Sequence, residues 1–313
     1  MEKPNKERIL VQIIKELSEE LNYSVDYLCY NWLIRISKNG ISKHIMGYDW
    51  EINSSTSQLI AKDKSACYEI LISQQVPTIE HKLFLSPQFQ NYIGKNGSWK
   101  ALLNYAESHN FNIVCKSNIG TGGNEVFKIN NQLELETSVH TLFSKYRGIC
   151  LCPYYNIKTE YRIIILNDIV QLIYAKQKPH IIGDGESTIL ELLQNLYGSM
   201  SASDIEMNDI NILTILPTDE IFELGWKHNL GKGAKPIIIE DELLKEKLTT
   251  LAIKASKAVN INFASVDIVE SQDELFVMEI NSGVMTENFA QESELNYNIT
   301  KTIYRNAIKA MIN

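Results

Sequence analysis

Two stretches of the chain carry residue types that can hold a polyphosphate and its metal. In the first, ASVDIVE (264–270) and FVMEIN (276–281) flank the polar turn SQDEL and alternate apolar with polar residues, as the strands of a half-buried hairpin do. A turn centred on Asp273 sets Asp267 directly across from Glu279, and Asn281 shares the face of Glu279 two residues on. Opposed carboxylates with Cβ atoms about 5 Å apart repel each other unless a cation lies between them. Asp267, Glu279 and Asn281 are therefore candidate ligands for one or two Mg²⁺ ions, with Mn²⁺ as an alternative. Such ions take carboxylate oxygens and complete their shell with water and nucleotide phosphate. The competing reading is a solvated strand face with unrelated acids, which the apolar flanking residues disfavour.

The second stretch, KSNIGTGG (116–123), lies between the strand-like segments FNIV and VFKI. Phosphate-binding turns of the P-loop and dinucleotide types run from a strand into a helix, whose N-terminus holds the anion; a strand-to-strand connection predicts a hairpin flap instead. Gly122 and Gly123 lack a Cβ, so their N–H groups can approach phosphate oxygens, and Lys116 can supply a point charge to the same anion. An ordinary glycine-rich hairpin is the alternative.

Only five of the thirty basic residues are arginine, so Arg162, within the apolar strand YRIIIL (161–166), is informative. A guanidinium there can hold a carboxylate or a transferring phosphoryl group through paired hydrogen bonds; a structural salt bridge with Glu160 or another acid competes with that reading. Lys178 and the loop Gly183, Asp184, Gly185 can face a second substrate or simply form a polar turn capping the next helix. Cys150 and Cys152 read as small buried residues, since no CxxC spacing is present among the five cysteines.

The elements that must position these residues follow from period and punctuation. At about 150 residues per domain, 313 residues predict about two domains. Residues 6–36 read as one or two amphipathic helices, 63–77 as a helix with Asp63 as N-cap, and 98–108, 134–146 and 295–312 as further helices. Ser187 or Thr188 opens another helix, with Glu191 in capping-box position. The boundaries expected are 1–97, a helix-rich unit with a substrate or interface role; 98–155, a small α+β unit; and 156–313, a C-terminal unit with the metal hairpin. A net charge of −8 argues against broad attraction to nucleic acid or anionic lipid. The start MEKPNKERIL has no apolar signal core and no run approaches 18 apolar residues, so a cytoplasmic location is expected.

The pieces and their order resemble the ATP-grasp superfamily. The resemblance runs from about Asp63 to Asn288: the pair DK (63–64) before a helix ending VPTIE, Lys116 with GTGG, the hinge-like CLCPYY, EYR (160–162), KPHIIGDGESTI (178–189), WKHNLGKGA (226–234), and VDIV with MEIN. The GDG-x-ST-I element is similar to the ATP-grasp part of cyanophycin synthetase and of bifunctional glutathione synthetase, while residues 1–60 match no element of the superfamily. The resemblance implies an α+β / α/β ATP-grasp fold: two α/β subdomains clasping ATP, here with an N-terminal helical or α/β segment. It implies phosphorylation of a carboxylate by ATP and attack on the acyl phosphate by an amine or thiol. Carried over, Lys64 and Lys116 would bind ATP phosphates, the loop Gly120, Thr121, Gly122, Gly123 would close over them, and Cys152, Pro153 and Tyr154 would lie against adenine. Glu160 would lie near the ribose or the metal shell, and Arg162, Lys227 and Asn229 would be catalytic. Lys227 departs from the arginine that relatives commonly carry there, and His228 reads as structural. The implied partners are ATP, Mg²⁺ and small carboxylate and amine substrates (amino acids or peptides), with no nucleic acid and no membrane, and with homodimerisation open. An ATP-grasp binding or spore-coat-type protein without ligase activity, or an ATP-dependent small-molecule kinase, are the alternatives.

Overall fold

The computed structural model describes residues 7–120, 125–194, 211–224, 230 and 234–312. Helix α1 (Ile9–Leu21) buries Ile9, Leu10, Val11, Ile13, Ile14 and Leu17 along one stripe, the spacing expected of an amphipathic helix. It stops because Asn22 takes a left-handed conformation (φ 55°) as its C-cap. The expected helical continuation to residue 36 is corrected: β1 (Ser24–Leu28), β2 (Leu33–Lys38), β3 (Ile41–Met46) and β4 (Asp49–Trp50) form an antiparallel meander in that order. The reason is period: Val25, Tyr27, Ile34, Ile36 and Ile45 sit at alternate positions and pack into one core. The first 97 residues are therefore rich in strand as well as helix.

Helices α2 (Ser55–Lys62) and α3 (Lys64–Ser73) follow, capped by Ser54 on Ser57 N–H and by Asp63 on Ala66 N–H. The Asp63 cap is as read; the helix ends four residues short of Pro77, where Gln75 turns the chain with φ 54°. The segment beyond docks on the C-terminal hairpin, with Pro77 accepting from and Ile79 donating to Val277.

A small antiparallel sheet, in the order β5 (Lys82–Leu85), β8 (Gly148–Pro153), β6 (Ile113–Ser117), β7 (Val126–Ile129), shares a core with α4 (Trp99–Ser108) and α5 (Gln132–Phe143). Strand β5 precedes residue 98 yet pairs with β8, so the first segment contributes a strand to this sheet. Lys116 pairs with Val126 at the open end of β6 and β7, and the glycine stretch is thus a strand-to-strand connection.

The central sheet has the order β13 (Lys235–Ile238), β10 (Ile169–Gln177), β9 (Thr159–Leu166), β14 (Phe263–Ser271), β15 (Glu274–Asn281), antiparallel at each pairing. Tyr161, Ile163 and Ile165 of β9 face α7 (Glu242–Ala258) in one core. Ile164 and Leu166, pointing the other way, pack with α1, α8 (Glu287–Gln291) and α9 (Glu294–Ile312) in another. Glu160 and Arg162 share the face of Ile164 but extend beyond that apolar cover. A side unit of β11 (His180–Ile182), α6 (Ile189–Gln194) and β12 (Ile221–Glu223) carries its own small core. Its capping box is present: Thr188 N–H donates to Glu191, and Glu191 N–H to Thr188 Oγ. Among the described residues no helix is long and apolar enough to cross a membrane.

Candidate active site

Strand register assembles the site. Tyr174 of β10, Arg162 of β9, Asp267 of β14 and Glu279 of β15 are successive cross-strand partners, forming one row across the sheet. The adjoining rows add the pair Lys176–Glu160 on one side and Ile164, Ser265 and Asn281 on the other. Asp267 does oppose Glu279, although the turn is Gln272–Asp273, both residues with positive φ (52° and 62°), rather than one centred on Asp273. A bulge at Met278 supplies the missing residue: Ile268 pairs with Val277 and Asp267 with Glu279. Without it Asp267 would face Met278.

Asp267 is 1% exposed and accepts two bonds from Arg162, Nε at 2.8 Å and Nη2 at 2.7 Å, with Lys176 Nζ at 3.1 Å. Burial opposes its charge, but the two cations win and hold its carboxyl well below the usual range. Lys176 also pairs with buried Glu160, whose carboxyl is pushed up by burial to about 6. Arg162 is thus neither free nor paired with Glu160; its fork grips Asp267. Glu279 differs. Among the described residues it accepts from the Asn281 side-chain amide at 3.1 Å, and both groups line the cavity.

That cavity, about 490 Å³, lies where the small sheet faces the central one. Lys116 is 9% exposed, lines it, and has no carboxylate partner among the described residues. Lys64 Nζ donates to the Gly120 carbonyl (2.8 Å), has no carboxylate partner among the described residues, and burial lowers its pKa. The backbone N–H groups of Lys64 and Ser65 both donate to Asn118, fixing the start of α3 to the connection after β6. Two unneutralised cations therefore face a carboxylate and an amide across one space, an arrangement suited to an anion and a metal bound together. A hard divalent ion fits Glu279 and the Asn281 oxygen, and Asp267 oxygens retain further lone pairs. Among the described residues no three His, Cys, Asp or Glu side chains cluster closely enough to hold a metal alone.

One end of the cavity is apolar and formed by Ile79, Val114, Val126, Cys152, Pro153 and Tyr154. There Tyr154 N–H is committed to the Asn112 carbonyl (3.0 Å), and Lys128 Nζ sits 4.0 Å over its ring. Burial pushes the Cys150 thiol up to about 12 and raises that of Cys152, as befits small buried residues. Glu160, Arg162, Lys64, Lys116, Gly120, Asp267, Glu279 and Asn281 all reach the cavity. Thr121, Gly122, Gly123, Lys227 and Asn229 lie outside the described residues.

The structure does not bring Lys178, Gly183, Asp184 or Gly185 to this cavity. Lys178 pairs with Glu223 (2.8 Å), and Asp184 accepts the N–H groups of Glu186 and Ser187 and the Ser187 hydroxyl. A Cβ on Gly183 would meet Pro217 O at 2.0 Å, and Gly185 has φ +79°. They form a turn within the side unit. Sequence reasoning missed Lys176: the Asn167–Asp168 turn alone would set Ala175 across from Glu160, and a bulge between Val170 and Leu172 shifts the register so that Lys176 takes that place. It also missed Trp32, Met46, Tyr48 and Asp49, which the meander brings to the far end of the cavity.

The RimK-like ATP-grasp domain family matches residues 222–306. Cyanophycin synthetase of Synechocystis sp. is 26% identical over 47% of this chain and 19% of its own length. Tetrahydromethanopterin:alpha-L-glutamate ligase of Methanocaldococcus jannaschii is 35% identical over 23% of this chain and 24% of its own. The chain spans about a fifth to a quarter of these curated relatives. The bifunctional glutathione synthetase from Pasteurella multocida superposes with a TM-score of 0.57 at 17% identity, covering 95% of this chain and 43% of that one. The D-alanine–D-alanine ligase from Bacillus anthracis does so with 0.56 at 16%, covering 83% and 70%.

Proposed function

The chain has the ATP-grasp fold, and from that premise we propose that it is a Mg·ATP-dependent carboxylate–amine ligase. It would form an amide or peptide bond on an amino acid or short peptide through an acyl phosphate, releasing ADP and phosphate. The observation that carries this reading is the pair of cations, Lys64 and Lys116, that reach the cavity with no carboxylate partner among the described residues, opposite Glu279 and Asn281. A buried ammonium without a counter-ion is costly, and a polyphosphate supplies the missing charge. Lys64 and Lys116 would bind phosphate oxygens, and the apolar end at Ile79, Val114 and Cys152 would take the base. Glu279 and Asn281, with Asp267 behind them, would hold the metal, which when bound neutralises phosphate charge. Arg162, fixed by Asp267, lines the cavity and would orient a carboxylate or phosphoryl oxygen. No side chain need act as a nucleophile, since this chemistry depends on positioning and charge neutralisation. The names of the matched relatives, a glutamate ligase and a synthetase, agree with this reaction class.

The test is incubation with Mg·ATP and amino-acid pools, measuring released phosphate and new amide mass. Substrate-dependent phosphate release with a condensation product is expected. A phosphorylated product without condensation would make the protein a kinase, and nucleotide binding without turnover would make it a binding module.

A further inference from the structure

The end of the cavity opposite its base-binding end is lined by the meander and by the segment after β15. Trp32, Met46 and Met285 line it while remaining 50%, 61% and 45% exposed. Tyr48 and Phe289 complete the wall, and Phe289 stacks on Tyr174 with ring centroids 5.0 Å apart. The charges at this end are consumed internally. Asp49 pairs with Lys62 at 2.7 Å and accepts the Ser282 hydroxyl at 2.8 Å. Arg8 donates to the Gly47 carbonyl at 2.7 Å and to that of Asn31, and lies over the rings of Trp32 (4.9 Å) and Tyr48 (5.2 Å). Tyr48 donates to Glu287 at 2.8 Å, and Glu287 also accepts the N–H groups of Ile9 and Leu10 at the start of α1.

These contacts hold the wall in one shape. Gly47 has φ +64°, and a Cβ there would meet the Trp32 ring at 2.8 Å, so the indole lies flat on the β3–β4 turn only because residue 47 is glycine. The result is a preformed apolar surface beside a charged zone, the division expected of a site that takes a zwitterion by its head and reads its side chain separately.

We infer that the substrate bound beyond the phosphates is an amino acid with a large apolar side chain, aromatic or branched aliphatic, seated on Trp32, Met46 and Met285. This rests on the ligase reading above. A charged side chain would enter a region where Asp49 is paired with Lys62 and where Arg8 and Glu287 are hydrogen-bonded to backbone groups and Tyr48, and it would lose its hydration with little compensation. An apolar one covers surface that is otherwise wet.

The experiment is calorimetric titration of the full chain, with saturating Mg²⁺ and a non-hydrolysable ATP analogue, by L-phenylalanine, L-leucine, L-glutamate and L-lysine. Phenylalanine and leucine are expected to bind at least tenfold more tightly than the charged pair, which is about 1.4 kcal/mol. Trp32→Ala and Met285→Ala should each shrink that preference several-fold while leaving affinity for the analogue unchanged. Met285 is itself 45% exposed and lies outside the meander, so its variant reads the site even if loss of the Trp32 ring perturbs the meander. Glutamate or lysine binding as tightly as phenylalanine, no amino acid binding at millimolar concentration, or an undiminished preference in both variants would overturn the inference. Phenylalanine binding without any binding of the analogue would remove the nucleotide reading and leave the apolar pocket standing.

Discussion

Two carboxylates of the hairpin face each other, yet substitution should separate them cleanly. Asp267 is buried and takes three charge-assisted contacts, two from Arg162 and one from Lys176. In Asp267→Asn, Arg162 and Lys176 remain buried with Glu160 as their nearest anion. Breaking one partner out of a buried ionic cluster costs about 3–5 kcal/mol, because the other charges stay where water cannot reach them. Glu279 accepts one bond among the described residues, from a neutral donor, so Glu279→Gln should change stability by no more than about 1 kcal/mol. Both variants should lose turnover. Urea unfolding followed by circular dichroism measures the difference, and the melting temperature of Asp267→Asn should fall by on the order of 10 °C. Because the folded-state pKa of Asp267 is depressed, its contribution is present above the unfolded value, about 3.9, and is lost as pH falls below it. The gap between wild type and Asp267→Asn should therefore be constant from pH 8 to 7, change as Glu160 of the same cluster titrates near 6, and close near pH 4 and below. An Asp267→Asn protein as stable as wild type at pH 7 would refute the claim that this network is a closed, buried cluster.

Three further outcomes follow from other parts of the molecule. Lys116→Met should weaken binding of a fluorescent ATP analogue at least tenfold, about 1.4 kcal/mol, while the circular dichroism spectrum stays that of wild type; unchanged nucleotide affinity in a folded variant contradicts this. His81 is buried, with Nδ1 on the Ile79 carbonyl and Nε2 unpartnered, and burial holds its pKa well below 6.5. The unfolded chain therefore takes up the proton first, and stability should fall as pH drops from 7 to 5 with a slope of up to about 1.4 kcal/mol per pH unit from this group. His81→Gln should flatten that slope relative to wild type, and parallel pH profiles would show that it does not titrate this way. Asp184→Ala should speed hydrogen exchange of the amides over 183–194 and leave substrate KM unchanged; a several-fold rise in KM would return this loop to the substrate site.

What could be read from the sequence divides along the range of the interactions. Caps are local, and Asp63 and the Thr188–Glu191 pair were each predictable from their neighbours. The strand-to-strand placement of the glycine stretch was predictable from its flanks. The meander was not, because SVDYL and LIRISK follow directly on a strongly amphipathic helix, and the two periods merge unless Asn22 is taken as a left-handed stop. That Lys178 and the 183–185 loop lie away from the cavity was hidden for a related reason. Their partners Glu223, Pro217 and Thr218 lie more than thirty residues on, and no local rule announces that contact.

The metal hairpin is the sharper case, because its alignment came out as expected from a turn placed half a residue off. A two-residue turn at Gln272–Asp273 pairs Val269 with Phe276 and would put Met278 opposite Asp267, turning Glu279 toward α7. The bulge at Met278 reverses that parity for everything beyond it, so that Glu279 and Asn281 face the cavity while Val277 and Ile280 stay in the core. The pattern FVMEIN carries the signal: Val277 and Ile280 are three apart, which no regular strand can bury on one face. Two apolar residues at odd spacing inside an otherwise alternating strand thus locate the bulge, and with it the residues that line the site.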